Sequence, residues 1–215
     1  MTIDDLRHHL TDAAIVPILM AGDGDLAAAI AIADTLVEAG ARVIEVLFRN
    51  PGAPAALTQI KRRHPGIFLA AGTILDAVGA ARAVAAGADF MVSPGFSPAL
   101  HAAALAAGIP LVPGVNTASE VQHARELGYL VQKFYPAWDH GQQRLPEFAA
   151  IFPEVSFLVT GALGPSAVSD YAHHRNVAAL GGTWMVKSAA AAGDFGGDRD
   201  RFRAARDKAG AGHAG

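Results

Sequence analysis

Two charged side chains stand inside apolar stretches of the sequence, and together they indicate covalent chemistry at an amine. Glu45 lies in the run VIEVLFRN and Lys133 in the run LVQKFYP. A buried carboxylate is costly without a partner, and lysine is seldom buried unless it is paired or used. Apolar surroundings and a nearby cation favour the uncharged amine, which can attack a carbonyl carbon. We therefore predict that Lys133 is a nucleophile and Glu45 a general base.

Arg49 is the candidate for the nearby cation and for an anion-binding group. Side chains alternate across a strand, so Glu45, Leu47 and Arg49 share one side of it, as Val131, Lys133 and Tyr135 do in the other run. Purely structural alternatives remain open. Glu45 could pair with Arg49 only to stabilise the fold, and Lys133 could pair with Glu45 or hold a phosphate.

Further polar and glycine-rich positions follow other apolar runs. Thr73 comes after Gly72, where it is either a binding residue or an ordinary helix N-cap. Pro94 and Gly95 shape a loop that is either part of a site or a plain turn. Turns rich in glycine after the last two runs could bind phosphate through backbone N–H groups, or could simply allow close packing. The positions concerned are Gly161, Gly181, Gly182 and Thr183.

A repeated unit sets the architecture that must position these residues. Four times an Ala-rich or acidic segment ends in a small residue and a glycine, and a short apolar run follows. Such alternation of helices and buried strands predicts βαβ units and a parallel sheet. The clearest helix is Leu26–Ala39, and the glycines that end helices are Gly40, Gly87, Gly108 and Gly128. We place strands at Ile15–Met20, Val43–Phe48, Phe68–Gly72, Phe90–Ser93, Pro110–Val112, Leu130–Phe134, Val155–Thr160 and Val177–Leu180.

Eight strand–helix pairs in 215 residues predict one (β/α)8 TIM barrel of class α/β that spans residues 1–215 as a single domain. An open doubly wound sheet is the alternative, which the nearly uniform repeat disfavours. A last helix is expected over Asp198–Lys208, and residues 209–215 are expected to fray. Barrel active sites lie at the carboxyl ends of the strands, where the polar positions above fall.

Composition excludes several functional classes. The chain is 52% hydrophobic with a net charge of −3, which gives no sign of a nucleic-acid partner. It has no cysteine and no zinc-ligand spacing, and its nine histidines are scattered, so no metal is expected. No apolar stretch reaches the roughly 18–20 residues that span a bilayer. The first twenty residues lack the features of a signal peptide, so we expect a cytoplasmic protein without a membrane partner.

In order and spacing, these segments resemble the family of 2-keto-3-deoxy-6-phosphogluconate (KDPG) and 4-hydroxy-2-ketoglutarate (KHG) aldolases. The resemblance covers nearly the whole chain, from VPILM to GGTWMV. The segments that carry it are VIEVLFRN, AAGTIL, SPGFSP, IPLVPGVNTASE, KFYPA and TGALGPS.

The resemblance implies a class I aldolase, a lyase of carbohydrate metabolism that needs no cofactor. Lys133 would form the Schiff base with a 2-keto acid, and Glu45 would shuttle protons. The pyruvyl half would be bound by Arg49, Thr73, Pro94 and Tyr135. The phosphate end would lie at Gly161, Ala162, Gly181, Gly182 and Thr183. The products would be pyruvate with glyceraldehyde 3-phosphate, as in the Entner–Doudoroff pathway, or pyruvate with glyoxylate. Family members are usually homotrimers.

Three positions depart from the family pattern. Ala162 stands where a second glycine is common, so it keeps the backbone N–H but adds a methyl and restricts φ. Ala167 replaces a frequent asparagine, and Asn50 stands where threonine or serine is common. The pyruvate half of the site therefore matches the family better than the aldehyde half does, which leaves the choice between phosphorylated and dicarboxylate substrates open.

Two rival functions share a barrel with a phosphate site. In a sugar-phosphate isomerase or epimerase, Lys133 would bind an anion and Glu45 would abstract a proton. In a barrel that binds pyridoxal phosphate, Lys133 would hold the cofactor aldehyde. Borohydride with pyruvate separates the aldolase from the first rival, and the colour of the purified protein separates it from the second.

Overall fold

Short buried strands alternate with helices along the whole chain, as the repeated unit predicts. The computed structural model describes residues 1–21, 26–138, 140–186 and 195–213, with side chains through Gly210. The strands are β1 (Ile15–Leu19), β2 (Val43–Leu47), β3 (Phe68–Gly72), β4 (Phe90–Val92), β5 (Leu111–Val112), β6 (Gly114–Val115), β7 (Val131–Phe134), β8 (Ser156–Val159) and β9 (Val177–Gly182).

These strands form one parallel sheet that closes into a barrel. Their order is β5-β4-β3-β2-β1-β9-β8-β7-β6, and each neighbouring pair is parallel. The two ends of this order meet at Pro113, because β5 pairs with β4 while β6 pairs with β7. Strands β5 and β6 are thus two halves of a single position in the barrel wall, which has eight positions in all. Each position is called a stave below. The predicted (β/α)8 barrel is confirmed, and the open sheet is not found.

The fifth stave is the strand that the sequence predicts least well. The predicted strand Pro110–Val112 covers only its first half, and the stave continues through Gly114–Val115. Pro113 interrupts the ladder because proline has no N–H to donate. Its carbonyl nevertheless accepts a hydrogen bond from the Lys133 N–H at 2.8 Å. The second half of this stave therefore lies directly beside the strand that carries Lys133.

Helices cover the outside of the barrel, and local sequence sets their ends. They are α1 (Ile3–Ala13), α2 (Leu26–Glu38), α3 (Ala53–Arg63), α4 (Ala77–Ala86), α5 (Pro98–Ala107), α6 (Ala118–Glu126), α7 (Gly141–Ile151), α8 (Ala167–Tyr171) and α9 (Gly196–His213). Thr117 and Glu120 form a capping box at the start of α6. Gly87 and Gly108 end α4 and α5 in the left-handed conformation, as predicted, and Gly40 and Gly128 also have positive φ.

The final helix is longer than expected. It runs from Gly196 to His213 rather than from Asp198 to Lys208. The tail expected to fray, residues 209–215, therefore begins inside a helix, and residues 214 and 215 lie outside the described part of the chain.

An apolar plug closes the amino-terminal end of the barrel. Leu6 and Leu10 of α1 are fully buried, and they belong to one cluster with inward-facing strand residues such as Val16, Val43 and Val131. Alternate strand residues, among them Ile44, face the helices instead. This alternation confirms that Val43 and Val131 face the interior, which puts Glu45 and Lys133, two residues further along each strand, on the inner side.

A glycine at the end of β3 makes room for the Glu45 carboxylate inside the barrel wall. Gly72 pairs with Leu47 in register, and a Cβ added to it would lie 2.1 Å from Glu45 Oε1 and 2.8 Å from Glu45 Cδ. No side chain fits at those distances, so any larger residue must push the Glu45 carboxylate out of its place.

We expect Gly72→Ala to lower the free energy of unfolding by about 1–3 kcal/mol, because overpacking a filled interior forces neighbours off their rotamers. Gly66→Ala is the matched control: a Cβ there has nothing within 4 Å, so its cost should stay within about 0.5 kcal/mol. Urea unfolding of both variants measures the difference. Equal stability of the two would show that the Glu45 side chain is not held against Gly72.

Candidate active site

Lys133 and Glu45 meet inside the barrel wall. The Lys133 side chain is 7% exposed and that of Glu45 is fully buried, and Lys133 Nζ lies 3.6 Å from Glu45 Oε1. They come from opposite sides of the barrel, on β7 and β2. The sequence leaves Arg49 and Lys133 open as partners of Glu45, and in the structure Glu45 pairs with Lys133. The arrangement brings a nucleophile and a proton acceptor to one point.

The Glu45 carboxylate is poorly satisfied for a structural ion pair. Among the described residues, neither carboxylate oxygen accepts a hydrogen bond, and the contact with Lys133 is longer than one. A buried pair that only stabilises a fold needs close geometry and further hydrogen bonds to offset desolvation. Because this pair has neither, a purely structural role explains it badly. A carboxylate kept ready to exchange protons with a ligand explains it better.

Arg49 lies at the mouth of the barrel above this pair and is tied to Thr73. Arg49 Nε donates to Thr73 Oγ1 at 3.2 Å, and Arg49 is exposed. Thr73 has a φ of 62°, a strained backbone conformation for a threonine. It does not cap the next helix, because the N-cap of α4 is Asp76. The helix-cap alternative for Thr73 is therefore wrong, and its hydroxyl holds a guanidinium instead.

A cavity of about 240 Å³ opens over Lys133 at the carboxyl ends of the strands. Eight of the predicted site residues line it together, and four apolar residues that the sequence did not single out complete the wall. The predicted residues are Arg49, Lys133, Tyr135, Gly161, Ala162, Gly181, Gly182 and Thr183, and the others are Ile18, Met20, Leu47 and Leu163. Glu45, Thr73 and Pro94 lie outside this lining. One space thus joins the amine to the glycine-rich loops.

Tyr135 gives the cavity an aromatic wall beside the amine. Lys133 Nζ lies 5.3 Å from the centroid of the Tyr135 ring. A ring face at this distance attracts a cation, by about 0.5–2 kcal/mol depending on exposure. The wall therefore favours any positive charge that develops on the Lys133 nitrogen.

The Pro94–Gly95 loop lies against the stave beside Lys133. A Cβ on Gly114 would stand 2.2 Å from the Pro94 carbonyl carbon, and Gly114 N–H donates to the Gly95 carbonyl at 3.2 Å. Gly114 is also in register with Lys133. This loop is therefore more than a free turn, since its backbone packs one stave away from the amine.

The glycines at the far end of the cavity also serve close packing. A Cβ on Gly182 would overlap the Trp184 ring, at 1.7 Å, and one on Gly181 would stand 2.6 Å from Thr160 Cγ2. The packing interpretation of these positions is thus correct, although both residues line the cavity as well. Ala162 has a φ of 49°, in the left-handed region that its methyl disfavours.

Sequence reasoning missed one polar residue near the site, Thr160, and the contact that another, Asn50, makes there. Thr160, just past the end of β8, is 2% exposed, and its hydroxyl has no hydrogen-bond partner among the described residues. A polar residue at a strand end was the available signal, as it was for Thr73. Asn50 donates from Nδ2 to the Ala21 carbonyl at 2.6 Å, which ties the loop after Arg49 to the loop after β1.

The described residues give no sign of a metal centre or a membrane segment. They contain no group of three or more His, Asp or Glu side chains that could hold a metal ion. In the same part of the chain, no helix is long and apolar enough to cross a bilayer. Of the two adjacent histidine pairs, His8, His9 and His173 are exposed, whereas His174 is half-buried.

Comparison with known proteins agrees with this geometry. The family model described as KDPG and KHG aldolase matches residues 6–196. A 2-dehydro-3-deoxy-phosphogluconate aldolase of Treponema pallidum is 39% identical over 169 residues, 78% of this chain and 80% of its own length. A KHG/KDPG aldolase of Escherichia coli is 36% identical over 86% of this chain and 87% of its own length.

A solved structure extends the likeness to the backbone. It is the KDPG aldolase of Legionella pneumophila with pyruvate captured at low pH as a covalent carbinolamine intermediate. The TM-score is 0.86 at 30% identity, over 92% of this chain and 96% of that one. With the family model matching most of its length, the chain belongs to the KDPG and KHG aldolase family.

Proposed function

We propose that the protein is a class I aldolase that cleaves a 4-hydroxy-2-keto acid into pyruvate and an aldehyde through a Schiff base on Lys133. The observation that carries this is the buried amine on the floor of the cavity, 3.6 Å from a carboxylate that accepts no hydrogen bond among the described residues. The carbinolamine of pyruvate in the Legionella pneumophila relative supports the same chemistry.

The first half of the reaction attaches the substrate. The Arg49 guanidinium, with Thr73 beside it, binds the carboxylate of the keto acid. Neutral Lys133 Nζ adds to the C2 carbonyl carbon. The nitrogen passes one proton to the Glu45 carboxylate, and the carbonyl oxygen takes one from solvent, which gives a neutral carbinolamine. Glu45 donates a proton to the departing hydroxyl, which leaves as water. The product is an iminium cation that faces the Tyr135 ring.

The second half breaks the carbon–carbon bond. Glu45, now a carboxylate, takes the proton of the C4 hydroxyl while the C3–C4 electron pair moves towards the iminium. C4 leaves as the carbonyl carbon of an aldehyde, and C2 and C3 remain as an enamine. Protonation at C3 restores the iminium, and water releases pyruvate and the free amine. The iminium is the electron sink, so the proposed steps need no metal or organic cofactor.

The same geometry disfavours the two rivals. In an isomerase or epimerase Lys133 would bind an anion and would need to be accessible to it. Its side chain is instead 7% exposed and lies beside a carboxylate. A pyridoxal-phosphate carrier would leave the Glu45 carboxylate, buried 3.6 Å from the amine, without a role. Family membership weighs against both.

We assign the far end of the cavity to the aldehyde half of the substrate. Backbone N–H groups of a glycine-rich turn can bind a phosphate, and five candidate residues line this end: Gly161, Ala162, Gly181, Gly182 and Thr183. KDPG is the proposed main substrate, as in the Entner–Doudoroff pathway, and KHG a second one. The names of the Treponema pallidum and Escherichia coli relatives support both.

The remaining proposals concern assembly and location. We propose a homotrimer in the cytoplasm, as the family resemblance implies. Leu75, just before α4, and Val78, in its first turn, are 60% and 68% exposed, which suits burial against a second copy. Light scattering of the purified chain gives the number of subunits directly.

Lys133→Met should abolish the adduct that borohydride traps with pyruvate, because methionine has no amine to form the imine. Mass spectrometry of the reduced protein detects the adduct. Lys208→Met, an exposed lysine of α9, is the control and should be trapped like the unmodified chain. An adduct that persists in Lys133→Met would reject Lys133 as the nucleophile.

Glu45→Gln should lower kcat by about a hundredfold or more while some adduct with pyruvate still forms, since general acid–base catalysis contributes about 10²–10⁴. Rapid-quench turnover and borohydride trapping on the same samples separate the two effects. Glu126→Gln, an exposed residue of α6, is the control. Unchanged turnover in Glu45→Gln would remove Glu45 from the mechanism.

Ala162→Gly should lower KM for KDPG about threefold and leave KM for KHG unchanged. Glycine relieves the left-handed strain and lets a phosphate approach the backbone closely. Steady-state assays over a range of each substrate measure KM, with Ala102→Gly, an exposed residue of α5, as the control. Equal changes in KM for KDPG and KHG would mean that the loop at Ala162 does not contact the substrate phosphate.

A further inference from the structure

A chain of hydrogen bonds outside the cavity ends on the loop that carries its aromatic wall. Asn116, just past β6, donates from Nδ2 to the Pro136 carbonyl at 3.1 Å. Arg144 of α7 donates to the Asn116 side-chain oxygen, and also to its backbone carbonyl at 3.2 Å. None of these three residues lines the cavity. Their contacts nevertheless lead directly to Tyr135, which does.

The arginine sets the direction of the asparagine amide. An amide can point either its oxygen or its nitrogen at a neighbour, and only the nitrogen can donate to a carbonyl. Because Arg144 takes the oxygen, the Nδ2 group is left facing Pro136. A charged donor also polarises the amide and strengthens the next hydrogen bond in the chain. Glu120 holds the other side of Asn116, where its carboxylate accepts the Asn116 backbone N–H at 2.8 Å.

The loop that receives this hydrogen bond is held on its other side by β8 and α8. Ala137 N–H donates to the Thr160 carbonyl at 2.8 Å, and the Tyr171 hydroxyl donates to the Ala137 carbonyl at 2.8 Å. The Arg144–Asn116 link, called the clamp below, therefore holds the segment Pro136–Ala137 on its β6 side. The contacts of Thr160 and Tyr171 hold the same segment on its other side. Tyr135 directly precedes these contacts, and its own N–H donates to the Val115 carbonyl of β6 at 3.0 Å.

We infer that Arg144 is a positioning residue: through Asn116 and Pro136 it holds the Tyr135 ring against the Lys133 nitrogen. The inference rests on the proposed Schiff base, because the ring matters most when that nitrogen is an iminium cation. Cation–π attraction falls off as the ring moves from the nitrogen, now 5.3 Å from its centroid. Releasing the clamp should therefore weaken the imine more than it weakens the fold.

The test compares the equilibrium constant for imine formation with pyruvate across variants, measured by borohydride trapping over a range of pyruvate concentrations. Arg144→Met should weaken imine formation about three- to tenfold. Arg125→Met makes the same change in an arginine that pairs with Glu154, near the carboxyl end of α6, and should leave imine formation unchanged. Arg144→Lys keeps a charged donor and should recover part of the loss.

Asn116→Asp separates the two halves of the clamp. Aspartate pairs with Arg144 at least as well, but it cannot donate to the Pro136 carbonyl. We expect it to weaken imine formation as Arg144→Met does, and the double variant should lose no more than either single one. Melting temperatures of all variants identify any that fail to fold. If Arg144→Met does not fold, Arg144→Lys and Asn116→Asp still test the inference.

The outcomes separate this inference from the function on which it rests. An unmodified chain that forms no adduct would remove the Schiff base and the inference together. A normal adduct in the unmodified chain, with Arg144→Met matching Arg125→Met, would overturn the inference alone. So would a wild-type imine constant in Asn116→Asp, or additive losses in the double variant.

Discussion

Everything else in this structure depends on one costly arrangement, an amine and a carboxylate kept together inside an apolar wall. Lys133 and Glu45 are 3.6 Å apart and almost wholly out of water. Burial weakens the hydration of both charges, and the pair lacks the extra hydrogen bonds that would offset this. The barrel sustains that cost through the large apolar clusters on both sides of its strands. The stability of the fold therefore supports a site that is itself unfavourable.

The sequence was sufficient for the fold and for the inward placement of Glu45 and Lys133, for a physical reason. Buried parallel strands read as short apolar runs, so a charge inside one is conspicuous. Strand alternation then tells which side it faces. What alternation cannot supply is the partner. Alternation places Glu45 and Arg49 on one side, but β2 ends at Leu47 and Arg49 lies in the turn beyond it, tied to Thr73. Lys133 reaches Glu45 from another strand instead.

The contacts that sequence reasoning missed all join segments distant in the chain. The place of Gly72 beside Glu45 follows from the register of β2 and β3, which no pattern within either strand reveals. The link from Arg144 to Asn116 spans 28 residues and depends on where α7 docks. The continuation of the fifth stave past Pro113 is a similar case, because proline ends a strand by every local rule. Only the pairing of β6 with β7 restores it.

The plug formed by α1 has a consequence for the order of events. Leu6 and Leu10 fill the amino-terminal end of the barrel, so the cavity over Lys133 has its opening at the strand ends, beside the glycine-rich loops. In the proposed reaction the aldehyde half lies at those loops, in the same cavity through which the amine is reached. In the cleavage direction the aldehyde must depart before pyruvate can. In the synthetic direction pyruvate must be attached before the aldehyde arrives, and an aldehyde that arrives first blocks the way, so excess aldehyde should inhibit synthesis.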